Sequence, residues 1–447
     1  MIRFVESDGH GAWNSREHSG VRAQLYLRGI GLLRTERLLR SASPALCRIQ
    51  REAVNLPSTA RLVMRFATPY CTPDHMCASR VAFLIHTEDN GDGSGTLLRR
   101  LLRRGGIDPD YRLEADDGTN RQQSLLCFAA QHSNVPSLLA IIDAGASLDM
   151  RGDRGTQTAL HVASTQGHAE IVALLLERGA SVDISNRIRR PEDGDVALFM
   201  AVRAGCTHDD AVPHIIRALL AAGAEIDRPG TKSRRRRTAL GEAVYQCDNT
   251  AARGAAVVEV LLGHGASMER AGRSMAEGSL LHRVCCASSA ACLRVLLAHG
   301  ADPDARAPIS GKTALICATE RANAAAAETV EVLLEAGARP DPDDDLYGAA
   351  ALFIAAKLGN VRAVRALLAR GAEVNRVTTE AKTRISGTAL FVATMEGRVD
   401  VVALLLRKGA CATIRGKVGG GPSETPLDFA RRCRRVDVLK LLERTRA

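Results

Sequence analysis

A small group of cysteines and histidines lies ahead of the regular part of the chain. Cys71, His75 and Cys77 fall within seven residues, and His86 could supply a fourth ligand. A structural zinc site takes four sulfur or nitrogen ligands, and its cysteines usually come in regular pairs such as Cys-x2-Cys. The spacing here is irregular and the fourth ligand is only inferred, so we interpret the group as a chance cluster. We predict neither a metal site nor a metal cofactor.

Two histidines invite a catalytic interpretation, because imidazole titrates near neutral pH. His161 and His282 occupy the same place in a phrase that recurs along the chain, which indicates that they tie neighbouring repeats together. No Ser or Cys nucleophile with a partnered base is marked by a recurring local signature. The run Gly419–Gly421 lacks the Lys-Ser/Thr ending of a phosphate-binding loop and is interpreted as a flexible finger. The sequence therefore predicts no catalytic residue, no bound cofactor and no enzyme activity.

The recurring phrase is clearest at Thr158–His161, which Ile171–Ala180 follows after a short gap. Variants of the phrase begin at Ser279 and at Thr388. Self-similarity with a period of about 33 residues is typical of a stacked solenoid. A solenoid presents an extended surface to a partner and rarely carries chemistry itself, so the pattern favours a binding protein over an enzyme.

One glycine in each unit measures the repeat, because it precedes a recurring alanine. Successive members are 34 to 44 residues apart. They are Gly145, Gly179, Gly223, Gly265, Gly300, Gly337, Gly371 and Gly409, with Gly105 as a weaker earlier member. The extra length of the longer units falls in polar or small-residue stretches, where a surface loop can lengthen at little cost in free energy.

Each unit body is predicted to form two short helices. Thr158 and Ser279 suit the N-cap of a first helix, since a hydroxyl can accept a hydrogen bond from an unpaired amide of the first turn. Ile171–Leu176 forms an apolar stripe wide enough to be buried between neighbours. Gly179 supplies the positive φ that ends the second helix without a Cβ penalty. The residues that follow are rich in Asp, Arg, Gly and Pro and form a projecting turn.

This pattern resembles the ankyrin repeat family over about residues 96–446, in nine successive units. The resemblance implies an all-α ankyrin-repeat solenoid of helix-turn-helix units with short β-turn fingers. Residues 1–76 do not fit the register and are predicted to form a basic helical N-terminal extension, which could cap the first repeat. The array then covers residues 77–446, with a degenerate first unit and a polar cap as its last unit.

The chain departs from the family at the histidine of the Thr-Pro-Leu-His phrase. That histidine is present at His161 and His282. Other residues replace it at Phe199, Gly241, Ile316, Phe353, Phe391 and Asp428. The hydrogen-bond ladder that this histidine makes between neighbours in the family is therefore not expected along most of the stack.

Composition and segment lengths exclude several classes of protein. The 447-residue chain is 46% apolar but only 3% aromatic, which suits closely stacked short helices better than a sandwich or barrel core. No run reaches the roughly 18 consecutive apolar residues of a membrane span, and residues 1–8 lack the apolar core of a signal peptide. The twelve scattered cysteines fit a reduced compartment. We expect an intracellular monomer, in the cytoplasm, the nucleus or both, without a membrane contact.

Charge is concentrated in two of the fingers, although the net charge of +10 is modest for this length. One finger has a net charge of +5, because only Asp227 opposes its cations. These cations are Arg228, Lys232, Arg234, Arg235, Arg236 and Arg237. A later finger carries the acidic residues Asp341, Asp343, Asp344 and Asp345. Both sets are candidate partner-binding residues.

Three interpretations of the basic finger stay open. It is a solvated loop, or a contact for an acidic partner or nuclear-import receptor, or a nucleic-acid contact. Phosphate binders usually show a longer basic stripe and, for single strands, interleaved aromatic residues. Only Tyr245 lies near this finger.

The family resemblance implies protein–protein recognition by a concave face of fingers and first helices. The sequence therefore predicts a non-catalytic scaffold or adaptor whose partner is another protein. The alternatives are binding of a nucleic acid or an acidic partner through residues 228–237, and a targeting role in an enzyme complex.

Overall fold

The computed structural model describes the repeat array with short gaps. The described ranges are 96–103, 107–114, 122–151, 157–186, 195–204, 211–230, 237–246, 251–273, 279–308, 310–321, 324–341, 350–380 and 384–444. Ahead of them, the two-residue strands β1 (Ser7–Asp8) and β2 (Ala12–Trp13) pair antiparallel. The rest of the predicted N-terminal extension, the group Cys71, His75, Cys77 and His86, and most of both charged fingers lie outside the described residues.

The chain divides into two compact units, residues 1–197 and 198–447. The described part of the first unit contains a single helix, a hairpin and two helix pairs. They are α1 (Thr96–Arg103), β3 (Arg112–Glu114), β4 (Gln122–Ser124), α2 (Leu125–Gln131), α3 (Val135–Asp143), α4 (Ala159–Gln166) and α5 (Ala169–Glu177). Helix α2 packs on α3 and on α4, and α1 packs on α3, so neighbouring pairs stack side by side.

The second unit begins within α6 and has the same helix-pair pattern. Its described elements are α6 (Ala197–Ala204), α7 (Ala211–Ala221), α8 (Ala239–Gln246), α9 (Ala251–Gly263), α10 (Met268–Arg273), α11 (Leu280–Ala287), α12 (Ala290–Ala298), α13 (Ala314–Thr319), α14 (Ala324–Glu335), α15 (Ala351–Leu358), α16 (Val361–Ala369), β5 (Thr378–Glu380), β6 (Ile385–Gly387), α17 (Ala389–Glu396), α18 (Val399–Arg407), β7 (Gly416–Val418), β8 (Ser423–Glu424), α19 (Pro426–Arg432) and α20 (Val436–Arg444). First helices pack on first helices, as α15 does on α17, and second helices pack on second helices, as α14 does on α16. Within the described ranges, no helix is both long and apolar enough to cross a membrane.

The predicted helix starts and stops are confirmed. The hydroxyl of Ser279 accepts a hydrogen bond from the Leu281 N–H at 3.2 Å, and Thr388 Oγ1 accepts one from the Phe391 N–H at 3.3 Å. The eight repeat glycines from Gly145 to Gly409 have φ between +86° and +94°. Since L residues with a side chain rarely adopt this conformation, glycine is the residue that ends each second helix here.

A ladder of carboxylate and amide side chains joins consecutive helix pairs. In each rung, an Asp or Asn side chain of one unit is the acceptor. The donor is the backbone N–H of the residue two positions after the next repeat glycine. The rungs are Asp110–Ser147, Asp149–Ser181, Asp227–Ser267, Asp304–Arg339, Asp341–Glu373 and Asn375–Cys411, at 2.6 to 3.0 Å. These hydrogen bonds were not predicted from the sequence, although the phrase Gly-Ala-x-x-Asp recurs in the chain.

A second set of hydrogen bonds satisfies the last carbonyls of the first helices, which have no partner within their own helix. In each bond, a side chain of the following unit donates to the carbonyl. The donor–carbonyl pairs are His168–Gln131, Gln246–Arg203, Arg283–Tyr245, Arg398–Lys357 and Arg435–Met395, at 3.1 to 3.3 Å. Gly359 makes room for one donor, because a Cβ there would lie 2.8 Å from Arg398 Cδ.

Two of the phenylalanines that replace the recurring histidine lie beneath a glycine of the next finger. A Cβ added at Gly230 would lie 2.5 Å from Phe199 Cε2. A Cβ added at Gly416 would likewise overlap the Phe391 ring, which also packs edge-on against Phe429 at a centroid distance of 5.5 Å. An apolar ring beneath a glycine thus takes the place of a histidine–carbonyl hydrogen bond.

Two consecutive fingers near the C-terminal end pair into one antiparallel sheet in the order β5-β6-β7-β8. The register sets Thr379 opposite Ser386, Ser386 opposite Lys417, and Lys417 opposite Ser423. The sequence predicted isolated turns at these places. The short helix α10 is a further difference, since it occupies the finger between α9 and α11.

We expect Leu175→Ala to lower the free energy of unfolding by roughly 2–5 kcal/mol, because it empties a fully buried position in α5. Leu176→Ala on the same helix is the matched control and should cost less, because Leu176 is only partly buried. Urea denaturation measures the loss. Hydrogen exchange should show protection lost first in α4 and α5, as expected for nearest-neighbour coupling. Uniform protection along the whole chain would contradict the idea that repeat interfaces set stability.

Gly416→Ala should destabilise the protein by about 1–3 kcal/mol, because the new methyl group overlaps the Phe391 ring. Gly420→Ala is the control, since a Cβ at that position meets no neighbouring atom within 4 Å. Thermal unfolding of both variants is the measurement. Combining Gly416→Ala with Phe391→Leu should recover part of the loss. Equal melting temperatures for the two alanine variants would rule out the proposed ring–glycine fit.

Candidate functional site

The two histidines bind the neighbouring finger, as predicted. His161 Nε2 lies 3.3 Å from the Asp195 carbonyl oxygen, and His282 Nε2 lies 2.8 Å from the Lys312 carbonyl oxygen. The Thr158 N–H donates to His161 Nδ1 at 3.2 Å, so this ring accepts at Nδ1 and donates at Nε2. Both side chains are completely buried. Their geometry is that of links between neighbouring helix pairs.

The buried thiols are poorly suited to nucleophilic chemistry, which requires the thiolate. Burial raises the pKa of Cys127 to about 11 and raises the pKa of Cys285 further. A hydrogen bond with Cys286, together with burial, raises the pKa of Cys317. Over the described ranges, no group of three or more His, Cys, Asp or Glu side chains is placed to hold a metal ion.

The structure describes only the two ends of the basic finger. Arg228 is partly buried, and the Gly230 N–H donates to the Arg237 carbonyl at 2.8 Å, which closes the base of the finger. Lys232, Arg234, Arg235 and Arg236 lie outside the described residues. Arg228 and Arg237 therefore lie at the base of the finger, and the four other cations fall between them in the sequence.

Arg237, one of the candidate partner-binding residues, is engaged within the array. Its side chain is only 13% exposed, and Nη1 donates to Glu242 Oε2 at 3.0 Å. Gln246 Nε2 donates to the other oxygen of the same carboxylate, also at 3.0 Å. The Arg237 guanidinium carbon lies 3.6 Å from the centroid of the Tyr245 ring. Arg237 thus joins the finger to helix α8 by an ion pair and a cation–π contact.

Tyr245 belongs to a cluster of side chains that was not predicted from the sequence. Its side chain is 44% exposed, although the Arg283 guanidinium also contacts the ring, with a carbon-to-centroid distance of 4.7 Å. Arg283 belongs to the next first helix, α11, and donates to the Tyr245 carbonyl. We call Arg237, Glu242, Tyr245 and Arg283 the Tyr245 cluster. The tyrosine was visible in the sequence, but its two arginine contacts depend on the stacking of α8 and α11.

The acidic finger is described only at Asp341. Its carboxylate accepts the Glu373 N–H at 2.6 Å and lies 3.7 Å from Arg376 Nη1. Its side chain is 15% exposed, so Asp341 takes part in the inter-unit ladder. Asp343, Asp344 and Asp345 lie outside the described residues.

The helix pairs, left-handed glycines and inter-unit hydrogen bonds can be compared with known proteins. A sequence profile described as "Ankyrin repeats (3 copies)" matches residues 88–186, 249–344, 281–378 and 352–445, which is more than half of the chain. The chain belongs to the ankyrin repeat family. Residues 187–248 lie between the matched segments, and there the structure forms the helix pair α6 and α7 and the first helix α8.

Several ankyrin proteins are similar to parts of this chain. The B-cell lymphoma 3 protein homolog of Mus musculus is 28% identical over 241 residues, which cover 52% of this chain and 49% of the relative. The B-cell lymphoma 3 protein of Homo sapiens is 32% identical over 191 residues, covering 41% and 38% respectively. An ankyrin repeat-containing protein of Schizosaccharomyces pombe is 30% identical over 82 residues, covering 18% of this chain and 37% of the relative. The chain thus spans less than half the length of these curated relatives.

Among solved structures, the ankyrin repeat domain of human ASB11 aligns with 57% of this ankyrin chain and 99% of its own, with 24% identity and a TM-score of 0.42. Ankyrin repeats are generally protein-interaction modules, and membership in this family assigns the chain to that broad class.

The stability of this ankyrin array should depend on pH through His161. Burial lowers the pKa of His161 from 6.5 to about 4. Between those values the unfolded chain binds the proton more readily than the folded one, so stability falls as the pH drops from about 6.5 towards 4. Between pH 7.5 and pH 4.5, wild type should lose on the order of 2 kcal/mol more than His161→Gln in urea denaturation. Parallel pH profiles for the two proteins would contradict this assignment.

Proposed function

We propose that this ankyrin protein is a non-catalytic scaffold or adaptor that binds another protein through its fingers and first helices, on the concave face that the family uses. The basic finger of residues 228–237 contacts an acidic surface of that partner. The observation that supports the proposal best is the Tyr245 cluster, an exposed tyrosine contacted by two arginines at the base of the most basic finger. Family membership supports the broader class.

The chemistry of the Tyr245 cluster suits a protein interface. Tyrosine and arginine are the side chains that most often dominate binding energy at protein–protein contacts. Contacts from Arg237 and Arg283 hold the Tyr245 ring in place, so ordering it on binding costs less conformational entropy than ordering a free side chain. The cations of the finger attract an acidic partner over a longer distance and raise the association rate.

Nucleic acid is the less favoured ligand for the same surface. Proteins that hold single strands stack bases on free aromatic faces. The Arg237 guanidinium lies 3.6 Å from the Tyr245 ring centroid, in the position that a stacked base would take on that face. An acidic protein surface needs no such stacking. We therefore propose a protein partner. If that partner is an enzyme, the array acts as its targeting subunit.

The test starts by identifying partners through proximity labelling with the full chain. The association rate of each recovered partner is then measured against ionic strength. The combined variant Arg234→Gln, Arg235→Gln and Arg236→Gln should slow association about tenfold at low salt and flatten the salt dependence. Tyr245→Ala should instead raise the dissociation rate, because an anchor side chain is lost. A matched control replaces Arg431, Arg434 and Lys440, three exposed cations of the last helix pair, with glutamine.

The folding controls follow from burial. The three finger substitutions should leave circular dichroism and the melting temperature unchanged, because the segment 231–236 offers no apolar side chain to the core in its sequence. Arg237→Gln is kept out of that variant, since breaking its nearly buried pair with Glu242 should destabilise on the order of 3 kcal/mol. Identical association rates for wild type and finger variant would reduce the finger to a solvated loop. Recovery of nucleic acid instead of protein would overturn the proposed ligand class.

A further inference from the structure

The outer face of the sheet formed by the two paired fingers carries a row of polar side chains. Thr379, Ser386, Lys417 and Ser423 are directly opposed across the four strands β5-β6-β7-β8. Opposed residues point to the same face of a sheet, so the four side chains form one line. We call this line the two-finger platform. Thr379, Lys417 and Ser423 are exposed, and Ser386 is partly buried.

The opposite face of the same sheet is fixed to the protein interior. Thr378 and Ile385 are buried there, and a Cβ at either Gly387 or Gly416 would strike the Phe391 ring. The platform therefore stands on a packed base and is held by strand pairing between two fingers. Strand pairing fixes the backbone of the platform, which lowers the backbone entropy that is lost when a ligand binds.

The charge of the platform is positive. Arg384 and Arg415 are exposed residues directly before β6 and β7, and Arg415 Nη1 donates to the Ser423 carbonyl at 3.2 Å. Neither Arg384 nor Lys417 forms an ion pair with another described residue. Glu424 lies on the other face by strand alternation, and its carboxylate is bound by Arg432 at 3.0 and 3.1 Å. Along the described row, hydroxyl and cationic donors thus face no carboxylate.

From this arrangement we propose that the two-finger platform binds an acidic, Asp- and Glu-rich peptide segment of a protein partner. Hydroxyl and ammonium groups are donors for carboxylates, and both kinds are present in the row. The four residues of the row include no aromatic ring on which a base could stack, and Val377, directly before β5, adds a single exposed apolar side chain beside the row. The platform is separate in sequence from the basic finger, so this proposal goes beyond the contact proposed above.

The probe is a fluorescein-labelled decapeptide of alternating Glu and Ser, with a Gln-and-Ser decapeptide as reference. Fluorescence anisotropy with the full chain at 0.15 M salt, on the order of physiological ionic strength, measures the dissociation constant. The double variant Arg384→Gln and Lys417→Gln should raise that constant about fivefold, the effect expected for two exposed charge contacts. Lys417→Arg should retain binding because it keeps the charge.

The matched control is Arg407→Gln with Lys408→Gln. It removes two exposed cations at the end of α18, a helix that lies between β6 and β7 along the chain. It should leave the dissociation constant unchanged. Hydrogen exchange with and without the peptide should show new protection at residues 378–387 and 416–424. Circular dichroism of all variants verifies folding.

An equal loss of binding in the Arg407 and Lys408 control would overturn the proposal, because the attraction would then be a property of net charge. A loss confined to the variant at Arg234, Arg235 and Arg236 would assign the peptide to the basic finger and equally overturn it. Peptide-induced protection from hydrogen exchange that is absent from residues 378–387 and 416–424 would also overturn the proposal. Failure of the platform test leaves the Tyr245 cluster test intact, since the two surfaces share no residue.

Discussion

Burial of apolar second-helix side chains between neighbouring helix pairs is the interaction on which the rest of the structure depends. Helices of eight or nine residues are marginal in water on their own, and one pair of them encloses no core. Leu296, Leu333 and Leu405 are completely buried because adjacent pairs pack second helix against second helix. Every other feature of the array must be compatible with this repeated contact.

Polar bonds then fix the register of the stack. Rungs of the Asp and Asn ladder join finger bases such as those at Asp341 and Asn375 to the following unit, and side chains such as Arg398 satisfy carbonyls of the preceding first helix. Most of these bonds lie at the exposed edge of the array, where water competes for the same groups, so each adds little to stability and their main effect is on register. They also explain why the histidine can vary. Where it is absent, the ladder remains, and a ring beneath a glycine fills the space at Phe199 and Phe391.

Because stacking occupies the helix interiors, the fingers and the outer turns of the first helices are left to differ between units. One finger has a net charge of +5 in its sequence and is followed along the chain by the exposed side chain of Tyr245, and two other fingers pair into one sheet. Asp341 and Arg237 show that some finger residues are nevertheless used for contacts within the array. Both were candidate contact residues, and both are engaged within the array, by the Glu373 amide and by the Glu242 carboxylate respectively.

The repeat, the ends of the helices and the resemblance to a family of interaction modules could be predicted from the amino-acid sequence alone. Gly179 and its counterparts required a left-handed turn, and Thr158 and Ser279 marked helix starts, because both depend on local geometry within one unit. His161 and His282 were predicted as links from their recurrence in the repeated phrase. The stacking of units, in contrast, sets which charged side chains are engaged, brings both Arg237 and Arg283 to the Tyr245 ring, and joins the fingers at 378–387 and 416–424 in one sheet. Those outcomes depend on contacts between residues a full repeat apart, where the spacing of stacked units, rather than the pattern within one unit, sets which groups meet.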